Sequence, residues 1–179
     1  MTIRDMQRPI KELYKNDSTK AAVTLTARAT MLESGPYACS IKTGQEIVEA
    51  QAHAGVGGLG TAACSGDLLL GALAACTQIT VQMVAASMGL TLRDIQVEVQ
   101  GDLDLRGTLG LNRNVPVGFQ SIRTSIDVQG DVESAQLQSL QERTERYCVV
   151  LATLQETPPV HIEWTSPRNK TKQKKRTPR

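Results

Sequence analysis

The sequence is poor in aromatic residues, and its cysteines and histidines do not follow the spacing of known metal sites. Only 3% of its 179 residues are aromatic, with one Phe and one Trp. Leu, Val, Ile and Ala must therefore build the core, and stacking of aromatic rings on nucleic-acid bases is not expected. The four cysteines form no CxxC pair, and two histidines are too few to complete a zinc motif.

Signals for export or membrane insertion are also missing. The first residues, MTIRDMQRPIKELY, are polar, and no later apolar run is expected to act as a membrane span because polar residues interrupt the longest one. We therefore expect a cytoplasmic protein without a membrane partner. In that compartment, cysteines are more often reduced, catalytic or buried than joined in structural disulfides.

The net charge of +2 hides an uneven distribution along the chain. Residues 168–179 hold seven of the 20 Lys and Arg residues and no acid, whereas the rest carries 13 basic against 18 acidic residues. A basic block of this kind is typical of a solvated, disordered end. The chain is therefore divided into an N-terminal helical arm at 1–20, a domain at 21–165 and a basic disordered tail at 166–179.

Hydrophobic patterning predicts strands, a helix, strands, a second helix and a closing strand. The predicted strands lie at 22–29, 37–43, 45–50, 95–105, 119–130 and 160–164. A short helix is predicted at 2–15 and the second long helix at 132–154. This order is that of an α+β sandwich.

The segment from Asp67 to Met88 is apolar on nearly every face, which is typical of a buried helix. Ser65 is the predicted N-cap, Asp67 lies in the first turn, where a carboxylate favours the helix dipole, and Gly89 is the predicted C-terminal cap. The sequence therefore predicts a long central helix at this place.

Cys76 and Cys148 are the candidate chemical residues, because each of the two long helices contributes one of them. A buried free cysteine usually behaves as a small hydrophobic residue, and that interpretation fits Cys39 and Cys64. Two helices of one core can also bring two thiols together. A bridge between them requires Cα atoms about 4.4–6.8 Å apart, which the sequence does not reveal.

Two segments resemble the OsmC/Ohr family. The string SGDLLLGALAACTQITVQMVAASMGL is similar to the central helix of that family, P-x-E-L-L-L-A-A-L-A-A-C-T, and ERYCVVLATLQETPPVHIEW is similar to its second-cysteine segment. GDLDLRG and VGFQSI also resemble family segments, so that the resemblance covers roughly residues 22–164. It implies an intertwined homodimer with two long buried central helices, antiparallel sheets and a redox site at the subunit boundary.

The resemblance also implies a chemistry. The thiolate of Cys76 would attack an organic hydroperoxide and become a sulfenic acid, and Cys148 would condense with it to a disulfide. An external thiol or dithiol would then reduce the disulfide, without a bound cofactor. The Leu-rich surroundings suit an alkyl or lipid-like peroxide better than hydrogen peroxide.

The sequence departs from the family pattern at the groups that activate the first cysteine. Burial raises the pKa of a thiol, and active family members counter this with an arginine that a glutamate holds. Gly66 stands at the glutamate position of the Ohr branch, and Asp67 stands at that of other branches. Arg28 on the first strand is the candidate arginine, although a solvent-facing role is also open. The weaker options are Arg106, Arg123 and Arg146.

Three functions remain at this point. The first is the peroxidase, which requires both cysteines and an activating group. The second is a non-catalytic dimer of the same fold that binds a small apolar ligand and uses its cysteines for packing. The third is weak association with nucleic acid through residues 168–179, which would be sensitive to salt.

Overall fold

The computed structural model describes residues 2–33, 35 and 37–165. The helices are α1 (Ile3–Asn16), α2 (Ser65–Met88), α3 (Leu105–Thr108), α4 (Ser134–Tyr147) and α5 (Val149–Gln155), and the strands are β1 (Ala27–Met31), β2 (Ala38–Thr43), β3 (Glu46–Gln51), β4 (Leu92–Asp102) and β5 (Ser121–Gly130). The predicted α+β class is confirmed. The predicted tail at 166–179 lies outside the described residues.

The strands form two separate antiparallel sheets. β1, β2 and β3 follow one another in a three-stranded sheet, and β4 pairs with β5 along nearly its whole length. The first strand was predicted at 22–29 but begins at Ala27, because only from there does the chain find partners on β2. All five residues of β1 are exposed, so neither of its faces is covered by its own chain.

The N-terminal arm is a helix, as predicted, and its capping explains where it begins. Thr2 and Asp5 form a capping box, and Pro9 is tolerated inside the helix. The arm packs on α2, and the guanidinium of Arg4 donates to the carbonyl of Ser87 near the end of that helix. The arm is therefore attached to the central helix.

The predicted N-cap of α2 is wrong by one residue. Cys64 is the cap and Ser65 is the first helical residue, because the thiol of Cys64 and the carboxylate of Asp67 each bond to the other residue's backbone amide. At the other end, Gly89 adopts the left-handed conformation (φ 75°) of a C-terminal cap, which confirms the prediction.

One face of α2 packs within the chain, and the other does not. Val81, Val84 and Ala85 form the core with Leu140 of α4, and α2 also packs on β4. Opposite this face, apolar side chains of α2 such as Ile79 and Met83 are exposed. The prediction of burial on every face is therefore wrong within the chain. α2 has 24 residues and contains an 18-residue window with a mean hydropathy of 1.7, so by length and composition alone it passes for a membrane span, as a core helix also can. The prediction that it is not a membrane span stays a prediction.

The predicted helix at 132–154 is two helices. α4 ends at Tyr147, Cys148 adopts an extended conformation (φ −74°, ψ 105°), and α5 begins at Val149. Cys148 therefore lies at a junction between helices. Of the predicted inner stripe of this segment, Leu140 is buried and Leu137 is exposed.

Residues 160–164, which were predicted to form the closing strand, are not a strand in the structure of the single chain. These residues form no regular structure, and the side chains of Val160, Ile162 and Trp164 are exposed. An alternating sequence becomes a strand only where a neighbouring backbone pairs with it, and within the described residues β4 and β5 pair with each other alone.

Candidate thiol site

The stripe of α2 that faces α4 and α5 determines where Cys76 lies. Leu73, Thr77 and Val81 recur at intervals of four residues and are all buried, so they form the inner edge of the helix. Cys76 precedes Thr77 by one position and lies on the flank of this edge. Its side chain is therefore partly exposed.

Cys148 approaches the same place from the other side. The junction between α4 and α5 packs against α2, and the side chain of Cys148 is 0% exposed. Its thiol lies close enough to Cys76 to lower the pKa of the Cys76 thiol. The structure therefore brings together the two cysteines that the sequence singled out, with one partly exposed and the other sealed. All four cysteines of the chain are free thiols.

Backbone amides complete the surroundings of the Cys76 sulfur. The first N–H groups of any helix have no acceptor within that helix. Since α5 begins directly after Cys148, the amides of Val149 and Val150 are available, and both lie close enough to the sulfur of Cys76 to lower its pKa. The sequence analysis did not find these donors, because every residue carries an amide and no Gly or Pro marks the helix junction.

These contacts outweigh the effect of burial on the Cys76 thiol. Burial raises the pKa of Cys76, but hydrogen bonds from the Val150 amide, the Cys148 thiol and the Val149 amide bring the pKa below its usual value. The Thr80 hydroxyl is also close, but its single proton is donated to the Cys76 carbonyl at 2.7 Å, so we assign it little weight. The sequence predicted that a positively charged neighbour would lower the pKa of Cys76, whereas the donors in the structure are neutral.

A second contact holds Cys148 in place. The hydroxyl oxygen of Thr77 lies 3.6 Å from the Cys148 sulfur, and both side chains are buried. The distance is within the range of a hydrogen bond to sulfur. Cys148 thus lies close to the side chains of two successive residues of α2.

Asp67 is engaged at the start of α2. Its carboxylate accepts a hydrogen bond from the Cys64 amide at 2.8 Å, and this bond is the main reason why the pKa of Asp67 is lowered. Nine residues of helix separate Asp67 from Cys76, which corresponds to about 13 Å along the axis. The structure does not bring this carboxylate to the thiol, and an effect of Asp67 on Cys76 stays a prediction.

Gly66 is a packing position. A Cβ atom there would lie 3.3 Å from the ring of Phe119, and one at Gly101 would lie 2.5 Å from the same ring. The ring therefore occupies the space beside both glycines. A glutamate at residue 66 would have to displace it.

The candidate arginines lie in different places. Arg28 is exposed on β1 opposite Lys42. Arg106 pairs with Asp104, Arg123 pairs with Asp102, and the guanidinium of Arg146 lies 5.6 Å from the centre of the Tyr147 ring. Among the described residues, no arrangement therefore ties Arg28 to Cys76, and its role stays a prediction.

Two open cavities flank the cysteine pair. One, of about 470 Å³, lies between α1, α2 and α4 and includes Thr80, Met83 and Tyr147 in its wall. The other, of about 440 Å³, lies along the α4–α5 junction beside Tyr147 and Cys148. Within the described part of the chain, no group of three His, Cys, Asp or Glu side chains is arranged to hold a metal ion.

The comparisons with known proteins agree on the fold. Residues 58–163 match the family model described as OsmC-like protein. An OsmC-like protein from Mycoplasma pneumoniae superposes with a TM-score of 0.62 at 17% identity, covering 75% of this chain and 89% of that one.

Two further solved structures carry a more specific name. An organic hydroperoxide resistance protein OsmC from Legionella pneumophila has a TM-score of 0.57 at 17% identity, covering 75% of this chain and 90% of that one. An organic hydroperoxide resistance protein from Elizabethkingia anophelis has a TM-score of 0.57 at 20% identity, covering 74% and 89%. No curated protein sequence matches this one. At these identities the structural likeness establishes the fold.

Proposed function

Because the chain belongs to the OsmC-like protein family, we propose that it is a thiol-dependent peroxidase that reduces organic hydroperoxides. The observation that carries this proposal is that Cys148 lies close enough to Cys76 to lower the pKa of the Cys76 thiol. The names of two structural neighbours, which are organic hydroperoxide resistance proteins, support the same chemistry.

The first step is the attack of the Cys76 thiolate on the peroxide. The thiolate sulfur bonds to the terminal peroxide oxygen, the O–O bond breaks, and the alkoxide takes up a proton to leave as the alcohol. Cys76 is oxidised to a sulfenic acid. The hydrogen bonds that lower the pKa of Cys76 favour this step, because the thiolate is the nucleophile.

Burial supports different roles for the two cysteines. Cys76 is partly exposed and can meet a peroxide, whereas Cys148 is 0% exposed and cannot. Cys148 is therefore the resolving residue. Its sulfur bonds to that of Cys76, the S–O bond of the sulfenic acid breaks, and water leaves with the thiol proton. An external thiol or dithiol then reduces the disulfide, and no bound cofactor takes part.

The surroundings of the pair favour an organic peroxide. The cavity between α1, α2 and α4 is lined by polar and charged residues together with Met83 and Val84, and it lies one helical turn from Cys76. Its apolar part suits an alkyl chain. The need for reduced thiols and an external reductant is consistent with our expectation of a cytoplasmic protein.

We further propose that two copies form an intertwined homodimer. β1 is exposed on both faces, and apolar side chains of α2 and of residues 160–164 are exposed as well. Apolar surface of this extent usually marks an interface. In such a dimer, β1 of one copy would bring Arg28 to the partner's thiol site. Light scattering should then give a mass of about 39 kDa, twice the 19.4 kDa of the chain.

The proposal is tested by hydroperoxide consumption in the presence of a dithiol. Purified wild-type protein should turn over cumene hydroperoxide continuously. Cys76→Ser should lose all turnover, and Cys148→Ser should stop after one equivalent, with Cys76 held as a sulfenic acid. Cys39→Ser is the matched control, because Cys39 is a free thiol on β2 and should be dispensable.

Two results would contradict the proposal. Wild-type protein that consumes no hydroperoxide with several dithiols and monothiols would refute the peroxidase activity. Continuous turnover by Cys148→Ser at the wild-type rate would refute the two-cysteine mechanism.

A further inference from the structure

The hydroxyl of Thr77 bonds to an unusual partner for a helical threonine. Such a hydroxyl commonly donates to the carbonyl four residues earlier, as that of Thr80 does to Cys76 at 2.7 Å. The Thr77 hydroxyl instead lies 3.6 Å from the sulfur of Cys148, which is 71 residues away in sequence. Thr77 is only 4% exposed, and Cys148 is 0% exposed, so water does not compete for this contact.

The proton count sets the direction of the hydrogen bonds. The Cys148 thiol has one proton, and this proton serves the sulfur of Cys76, whose pKa the bond lowers. Either atom of the Thr77–Cys148 contact could donate, and with the Cys148 proton turned toward Cys76 the donor is the Thr77 hydroxyl. The result is a chain of donors that runs from Thr77 through Cys148 to Cys76. Successive hydrogen bonds of this kind strengthen one another.

The same hydroxyl serves the resolving step of the proposed reaction. When Cys148 attacks the sulfenic acid of Cys76, it gives up its proton to the departing hydroxyl, which leaves as water. Negative charge then develops on a sulfur that is sealed from solvent, and a buried charge without a donor is costly. The Thr77 hydroxyl is already in place to stabilise that charge.

We propose that Thr77 is a positioning residue for the resolving thiol: its buried hydroxyl, 3.6 Å from the Cys148 sulfur, orients Cys148 toward Cys76 and stabilises it during disulfide formation. This inference rests on the proposed peroxidase function and adds a third residue to the cysteine pair. Thr77 acts through Cys148 and does not touch the peroxide.

The test compares three variants that change one group each. Thr77→Val replaces the hydroxyl by a methyl group of similar shape, and Thr77→Ser keeps the hydroxyl. Thr144→Val makes the same change at another buried threonine, whose hydroxyl has no hydrogen-bond partner among the described residues. Thermal unfolding of each variant shows whether it is folded.

Two readouts follow the two roles of the hydroxyl. The first is disulfide formation after one equivalent of cumene hydroperoxide. A second equivalent then oxidises any unresolved Cys76 sulfenic acid to the sulfinic acid, which peptide mass spectrometry measures as the product of failed resolution. The second is the pH profile of Cys76 alkylation by iodoacetamide, which needs no peroxide.

We expect Thr77→Val to slow disulfide formation about five- to tenfold, the factor for one lost buried hydrogen bond. Overoxidation of Cys76 should increase in parallel, and the alkylation profile should shift to higher pH. Thr77→Ser should restore both readouts, and Thr144→Val should behave as wild type.

Contrary outcomes are distinguishable from failure of the peroxidase. If wild-type protein does not react with hydroperoxide, the proposed function fails, while the alkylation profile still tests the hydrogen-bond chain. If Thr77→Val matches wild type in both readouts, the proposal for Thr77 is overturned. Equal defects in Thr77→Val and Thr77→Ser would also overturn it, because side-chain shape and not the hydroxyl would then be responsible.

Discussion

Oxidation of the Cys76–Cys148 pair should stabilise the folded protein strongly. The bridge would close a loop of about 70 residues, and in the chain-entropy model such a loop raises the free energy of unfolding by about 4 kcal/mol at 25 °C. The two thiols are already near each other when reduced, so little of this gain should be lost to distortion of the native state. In a domain of this size each kcal/mol raises Tm by about 2–4 °C, so the predicted rise is on the order of 10 °C.

The assay is thermal unfolding of reduced protein and of protein oxidised with one equivalent of hydroperoxide. Far-UV circular dichroism is the better probe, because it follows the helices, whereas the single tryptophan, Trp164, is 93% exposed and reports little of the core. Cys148→Ser should show no rise after the same treatment, and Cys39→Ser should show the full rise. Peptide mapping must identify the bridge as Cys76–Cys148.

The reasoning fails if the mapped bridge leaves Tm unchanged or lowers it. The arrangement of the thiols would then not be close to the geometry of a disulfide, and oxidation would have to distort the packing of α2 against the α4–α5 junction. A rise in the Cys148→Ser control would instead show that a different cysteine pair is oxidised.

Three further predictions concern single groups. Asp67→Ala should lower the free energy of unfolding by about 1 kcal/mol through loss of the α2 cap, with no change in the pH profile of Cys76 alkylation; a shifted profile would show that the carboxylate acts on the thiol. Hydrogen bonding to Arg123 lowers the pKa of Asp102 from 3.8 to about 2. The ionised carboxylate should therefore stabilise the fold at pH values above 3.8, and this stabilisation should be lost as the pH falls through 2. The stability difference between wild type and Asp102→Asn should therefore vanish in acid titrations near pH 2, and a difference that persists there would contradict the ion pair. A monothiol added to oxidised protein should form its mixed disulfide on Cys76, the accessible sulfur, and peptide mapping that finds the adduct on Cys148 would contradict the burial argument.

The elements that the sequence predicted well are those whose cause is local. α1, most of α2 and the β4–β5 pair follow strong periodic patterns with clear ends, such as Gly89. The closeness of Cys76 and Cys148 was predicted only as one possibility, because the sequence places one cysteine on each long helix but does not give their separation. The resemblance to the family motifs then indicated which cysteine reacts first in the proposed reaction.

The features that were missed depend on tertiary contacts. No Gly or Pro marks the break at Cys148, whose extended backbone accompanies its packing against Thr77 and Cys76. The amide donors of Val149 and Val150 exist only because of that break. Similarly, the strand expected at 160–164 needs a neighbouring backbone that the chain alone does not supply.

The apolar character of α2 has a consequence during synthesis. The core partner of this helix on α4 ends at Tyr147, about 60 residues after Met88. At typical translation rates of about 5–20 residues per second, α2 therefore leaves the ribosome several seconds before α4 can cover it. For that interval, the nascent chain displays a segment with the length and hydropathy of a membrane span. Early capture by a chaperone, or rapid docking on β4, which follows within about 15 residues, would keep this segment on the route to the folded protein.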